Sequence, residues 1–200
     1  MAGKTKGFTI RFKYNAPVVL TFTLLSLGAL LLQMIFQRSN PTPNTLFFST
    51  YRHTLLDPLT FVRAFGHVLG HINWEHYVNN MMLFLLLGPI LEEKYGSMSL
   101  LIMILITAVI TAIVNALFFP GVHLLGASGI VFMFILLSSV VAVEKGEIPI
   151  SFIVIVVLYL GREFYSATTG WNNISELAHI IGGVAGSIFG FLSLGSKSKR

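Results

Sequence analysis

Long apolar runs alternate with short polar segments along most of the chain. A helix that spans a bilayer needs about 20 mostly apolar residues, and six runs come close to that length. We predict membrane helices over residues 17–36, 75–95, 100–119, 128–143, 148–165 and 176–194, of which the fourth is short. Residues 37–74 contain no clean span. Their aromatic residues, mixed with turn residues, indicate a loop at the level of the lipid headgroups.

The composition supports an all-α membrane protein. The chain has 54% hydrophobic and 10% charged residues and a mean hydropathy of +0.80, whereas a soluble domain carries about 25% charged residues. We expect one six-helix core over 17–194, between basic segments at 1–16 and 195–200. The absence of cysteine excludes a disulfide framework and a thiolate metal site.

The basic residues predict how the bundle is oriented. Six spans place both termini on one side, and the lysines and arginines divide nine to four between the two sides. Basic excess marks the cytoplasm, so both termini should be cytoplasmic and the 37–74, 120–127 and 166–175 loops should face outward. Membrane topology also explains the net charge of +5 better than nucleic acid binding does, and no nucleic acid partner is expected.

A serine between glycines opens the fourth span on the predicted outer side, in Gly126-Ala127-Ser128-Gly129. A serine becomes a nucleophile when a base takes its proton and donors stabilise the oxyanion. The flanking glycines let backbone approach closely. The alternative is a small-residue surface that only packs helices together.

A candidate base lies in the sixth span. His179 precedes Gly182 and Gly186 by three and seven residues, which places the three on one helical face where another helix could approach closely. The alternative is a histidine that bonds a backbone carbonyl while the glycines pack. Asp57, the only aspartate, lies in the long loop and no carboxylate is placed to orient His179, so a Ser–His dyad is expected rather than a triad.

The second span carries a cluster of polar residues, His67, His71, His76 and Asn80. His76 and Asn80 are four residues apart, on one helical face, and both side chains can donate hydrogen bonds to an oxyanion. His67 and His71 have the spacing of a helical zinc pair. No glutamate follows His67 as in an HExxH metalloprotease, so metal binding is disfavoured.

These motifs together resemble the rhomboid family of intramembrane serine proteases, from about Phe61 to Gly186. Phe61-Val62-Arg63 is similar to a loop motif that reads aromatic-Trp-Arg in the family, with Val62 in place of the tryptophan. The second-span pattern matches in type and spacing. A further match at the predicted cytoplasmic end consists of Gly88, Glu92 and Gly96.

The resemblance implies a role for each candidate residue. Ser128 would be the nucleophile and His179 the general base, while His76, Asn80 and the Ser128 N–H would form the oxyanion hole. Phe132 stands where many members have a tyrosine stacked on the histidine. The supporting or helix-packing residues would be His71, Gly126, Gly129, Phe132, Gly182 and Gly186. No metal and no cofactor is implied.

The implied activity is that of a serine endopeptidase of the minimal six-helix form, without the cytoplasmic N-terminal domain of some members. Its partners would be the lipid bilayer and single-span transmembrane proteins, cleaved near the outer face where their helix is weakened. The basic amino terminus and the lack of a transit segment favour a multi-pass protein of a prokaryotic cell (inner) membrane. Alternatives are a catalytically silent rhomboid-like protein that binds transmembrane clients, and a small transporter or metal channel. The latter would require paired interrupted repeats, and none is evident.

Overall fold

The computed structural model describes residues 14–143 and, beyond them, residues 150, 153, 154, 157, 158, 161, 180, 181, 183–186, 188 and 192. Across these residues the protein is helical, as predicted, and forms no strand apart from one isolated pair of bridged residues. The five helices that are described in full are α1 (Pro17–Ile35), α2 (Pro58–Gly66), α3 (Trp74–Tyr95), α4 (Ser97–Phe118) and α5 (Ser128–Val143).

Four predicted spans correspond to α1, α3, α4 and α5, and the helix ends lie within three residues of the predicted ones. Among the described residues, α1 and α4 are long and apolar enough to cross a membrane, and Ser128–Ser138 is a shorter apolar helix. α3 is as long as α4 but carries charged residues near both ends. The described residues of the predicted fifth and sixth spans are helical.

α3 packs between α1 and α5, and three aromatic rings mark the line of contact. Phe22 of α1 stacks on Phe84 of α3 with ring centroids 4.6 Å apart, and Phe84 stacks on Phe134 of α5 at 4.8 Å. Gly88 of α3 lets the helices approach, since a Cβ there would lie 2.7 Å from Val19 and 3.0 Å from Phe134. This packing fixes the position of α5 relative to α3, and both helices carry candidate site residues.

The carboxyl group of Glu92 joins three helices at the end of the bundle opposite the candidate site. α1 begins without a side-chain cap of its own, and Glu92 of α3 accepts hydrogen bonds from the backbone N–H groups of Val18 and Val19, each at 3.0 Å. The hydroxyl of Ser97, the first residue of α4, donates to the same carboxyl group at 2.6 Å. Glu92 therefore caps α1 from another helix.

We expect Glu92→Ala to destabilise the protein by about 2–4 kcal/mol, because it leaves buried N–H donors without an acceptor. The measurement is thermal unfolding in detergent. The adjacent Glu93 is exposed, so Glu93→Ala should change stability by no more than about 0.5 kcal/mol. Equal losses from the two substitutions would contradict the capping role.

The long loop between α1 and α3 is folded rather than extended. It contains a π-helical turn (Asn44–Phe48), α2, and a 3₁₀ turn (His67–Leu69). Gly66 and Gly70 lie so close to the backbone carbonyls of Phe47 and Phe48 that a Cβ at either position would overlap them. The placement of His67 and His71 in the second span was therefore wrong. Both precede α3, held by this loop packing, and they are not a pair on one helix.

Candidate active site

Ser128 is buried at the amino-terminal end of α5. Ala127 immediately precedes the helix, and its carbonyl accepts hydrogen bonds from the N–H groups of Ile130 and Val131, both at 2.9 Å. The first N–H groups of a helix have no partner within it, and the helix dipole favours negative charge there. The serine hydroxyl therefore lies where an oxyanion would be stabilised.

The imidazole of His76 and the hydroxyl of Ser128 both lie close to Gly126. Gly126 has a φ of 125°. A Cβ built on it would lie 2.9 Å from both Cε1 and Nε2 of His76 and 3.9 Å from Oγ of Ser128. Only a glycine allows this backbone conformation and this close approach. The structure thus places two of the predicted site residues, His76 and Ser128, next to a third, Gly126.

His76 is held from its own helix and from the preceding loop. The side chain of Asn73 caps α3 by accepting a hydrogen bond from the His76 N–H at 2.8 Å. The ring of His71 meets the His76 ring edge-on, with centroids 5.0 Å apart, and it also contacts Tyr77 at 5.4 Å. His71 therefore packs against the His76 ring.

Asn80 lies one turn after His76 on α3 and is buried. Its Nδ2 donates to the backbone carbonyl of His76 at 3.0 Å. An amide nitrogen has two hydrogens, and this bond uses one of them. Asn80 keeps a second hydrogen for another acceptor.

The segment before Ser128 is fastened to the long loop. Gly126 donates its N–H to the carbonyl of His67 at 2.9 Å, and Thr50 and Leu124 exchange two backbone hydrogen bonds at 2.8 and 2.9 Å. The amide of Asn115, from α4, donates to the carbonyls of Thr50 and Val122 at 3.2 and 3.0 Å. These contacts join residues far apart in sequence, and periodicity could not have predicted them.

Burial keeps the two loop histidines neutral at pH 7. Desolvation lowers the pKa of His67 to about 4, against a smaller opposing effect of its bond to the Arg63 carbonyl. The pKa of His71 is also lowered to about 4, by desolvation and then by the nearby His76. In the unfolded chain the two histidines take up protons near pH 6.5. Between pH 6.5 and 4 the unfolded chain therefore holds more protons than the folded protein.

Stability should therefore fall as the pH drops from about 6.5 towards 4. Each of the two histidines contributes up to about 1.4 kcal/mol per pH unit in that window. In thermal unfolding at a series of pH values, His67→Asn should lower the melting temperature at pH 7 and also flatten its decline in acid. A decline as steep as that of the native protein would show that His67 does not titrate as described.

Glycines of the predicted sixth span contact α5 directly. A Cβ on Gly183 would lie 2.6 Å from the Phe132 ring and 3.0 Å from the Gly129 carbonyl, and one on Gly186 would overlap Thr107 and Met133. Gly186 therefore lies at a close contact with α4 and α5. Gly183 was missed, although it shares a helical face with residues 179 and 186. His179 and Gly182 lie outside the described residues.

Comparison with known proteins shows the family of this chain. A family model of the rhomboid domain matches residues 58–196. The chain is also 26% identical over 133 residues to Rhomboid protease GlpG of Haemophilus influenzae, an alignment that covers 65% of this chain and 68% of that protein. The family match includes α2 to α5 and every candidate site residue. This chain belongs to the rhomboid family of membrane proteins.

Proposed function

We propose that the protein is an intramembrane serine endopeptidase in which Ser128 and His179 form a catalytic dyad. The observation that carries the proposal is that the His76 ring and the Ser128 hydroxyl both lie close to Gly126, at the amino-terminal end of α5. Similarity to a rhomboid protease supports it and does not favour a silent client-binding protein.

In the proposed reaction, His179 takes the hydroxyl proton of Ser128 as the oxygen attacks the substrate carbonyl. The oxyanion then accepts hydrogen bonds from the Ser128 N–H, the His76 imidazole and the Asn80 amide. Donors held by the fold in this way would need little reorganisation when charge develops. His179 returns the proton to the leaving amine, and water releases the acyl group by the reverse sequence.

The contacts of the sixth segment support His179 as the base. Gly183 adjoins Gly129, and Gly186 adjoins Met133, so the two segments run in the same direction along their contact. Residue 179 lies four positions before Gly183 in the sequence, so a helix that continued back from Gly183 would bring it to the amino-terminal side of Gly129, where Ser128 lies.

The proposed substrate is a single-span membrane protein, cut near the outer face of a prokaryotic inner membrane. We further propose six spans with both termini in the cytoplasm. A peptide bond within a helix is shielded by its own turn, so a substrate helix that is weakened near the membrane surface would be cleaved preferentially. The apolar helices α1 and α4 and the polar site beside α3 fit a reaction at a membrane.

The test is cleavage of a generic single-span substrate by the purified protein in detergent. The native protein should cleave and Ser128→Ala should not. Ser138→Ala is the matched control, because Ser138 lies in the same helix and is only half-buried, and it should cleave at the native rate. Undiminished cleavage by Ser128→Ala would overturn the proposal.

A further inference from the structure

His123 connects the segment before Ser128 to the long loop. It adjoins Leu124, whose backbone pairs with that of Thr50. The His123 ring lies on Tyr51, with centroids 4.2 Å apart and planes 32° apart, and its Nδ1 is 3.4 Å from the hydroxyl of Ser49. His123 therefore contacts both sequence neighbours of Thr50, and it adds side-chain contacts to the backbone pairing of Thr50 with Leu124.

A cation already lies next to this contact. The guanidinium carbon of Arg63 is 4.9 Å from the centre of the Tyr51 ring. Arg63 also binds Asp57, which pairs with His53 at 3.3 Å, and His53 meets Tyr51 edge-on. Arg52 points away, since it bonds the carbonyls of Ala116 and Leu117 at the end of α4.

These neighbours favour the neutral form of His123. Partial burial, and then the charge of Arg63, lower the pKa of His123 below its usual 6.5. Protonation in acid would place a second positive charge beside Tyr51, near Arg63. The contact between the two loops is therefore stronger when His123 is neutral.

We propose that neutral His123 is a positioning residue that fastens residues 124–128 to Ser49–Tyr51, and that its protonation loosens this connection. The consequence for catalysis rests on the proposed function, because Ser128 follows Leu124 by four residues. The loosening itself does not depend on that function, and it can be measured separately.

The first experiment measures loop opening without any proteolysis. The chain has no cysteine and Leu124 is buried, so the rate at which a thiol reagent modifies Leu124→Cys reports separation of the loops. In that background, His123→Ala should raise the rate on the order of tenfold through more frequent local opening. His123→Phe keeps a ring on Tyr51 and should stay near the native rate. Equal modification rates in Leu124→Cys alone and in its combinations with His123→Ala and His123→Phe would overturn the proposal.

The second experiment tests protonation. Rates are divided by those of exposed Ser39→Cys, which corrects for the reactivity of the thiol at each pH. Between pH 7 and 5 the corrected rate should rise when His123 is present and stay flat in His123→Phe. The same rise in both proteins would show that another group loosens the loops.

In a cleavage assay, His123→Ala should lower kcat on the order of tenfold and leave KM unchanged, because a displaced nucleophile loses reactivity rather than substrate affinity. His123→Phe should keep native kcat at pH 7. A change in KM alone would overturn the positioning role. If the native protein cleaves nothing, the proposed function fails, while the modification rates still decide whether His123 fastens the loops.

Discussion

Ser128→Ala and His179→Ala should each lower kcat by at least about 10³-fold, and the double variant should be no slower than the slower single variant. The reason is that the serine attacks only when the base takes its proton, so removal of either residue removes the same step. The measurement is cleavage of one substrate by the three variants. A double variant whose fold-loss of kcat equals the product of the two single losses would contradict a dyad.

Gly126→Ala should lower cleavage by about a hundredfold or more, since small displacements of reacting groups have effects of that size. The added Cβ would meet the His76 ring at 2.9 Å, and the φ of 125° is unfavourable for alanine. The ring and the serine loop must therefore move apart. The measurement is kcat, with thermal unfolding as a check that the variant is folded.

Gly121→Ala is the matched control for this substitution. Gly121 lies in the same loop, and a Cβ there meets nothing within 4 Å, so its activity should stay close to native. If both variants lost activity, the cause would be a change in the loop as a whole rather than the contact between Gly126 and His76.

The sequence was sufficient to predict α1, α3, α4 and α5 because their apolar runs are long and their ends carry turn residues. α5 begins at Ser128 and ends at Val143, as predicted. The motif around Ser128 predicted a site at the amino-terminal end of α5, and the structure places the His76 ring and the Ser128 hydroxyl close to the same glycine there.

The contacts made by the loops could not be predicted in the same way. The pairing of Thr50 with Leu124 and the cap that Glu92 provides for α1 both join distant segments, and helical periodicity carries no information about them. The error over His67 and His71 has the same origin. Their spacing suits a helix, but the packing of Gly66 and Gly70 against the Phe47 and Phe48 carbonyls places them in a folded loop.

The central claim is that Ser128 is an activated nucleophile, and covalent modification tests it most directly. The folded protein is treated with a fluorophosphonate that reacts with activated serines, and the modified residue is identified by mass spectrometry. We expect the adduct on Ser128 in the native protein, much less of it in His179→Ala, and none in Ser128→Ala. An adduct on a different serine, or none on the folded native protein, would contradict the claim.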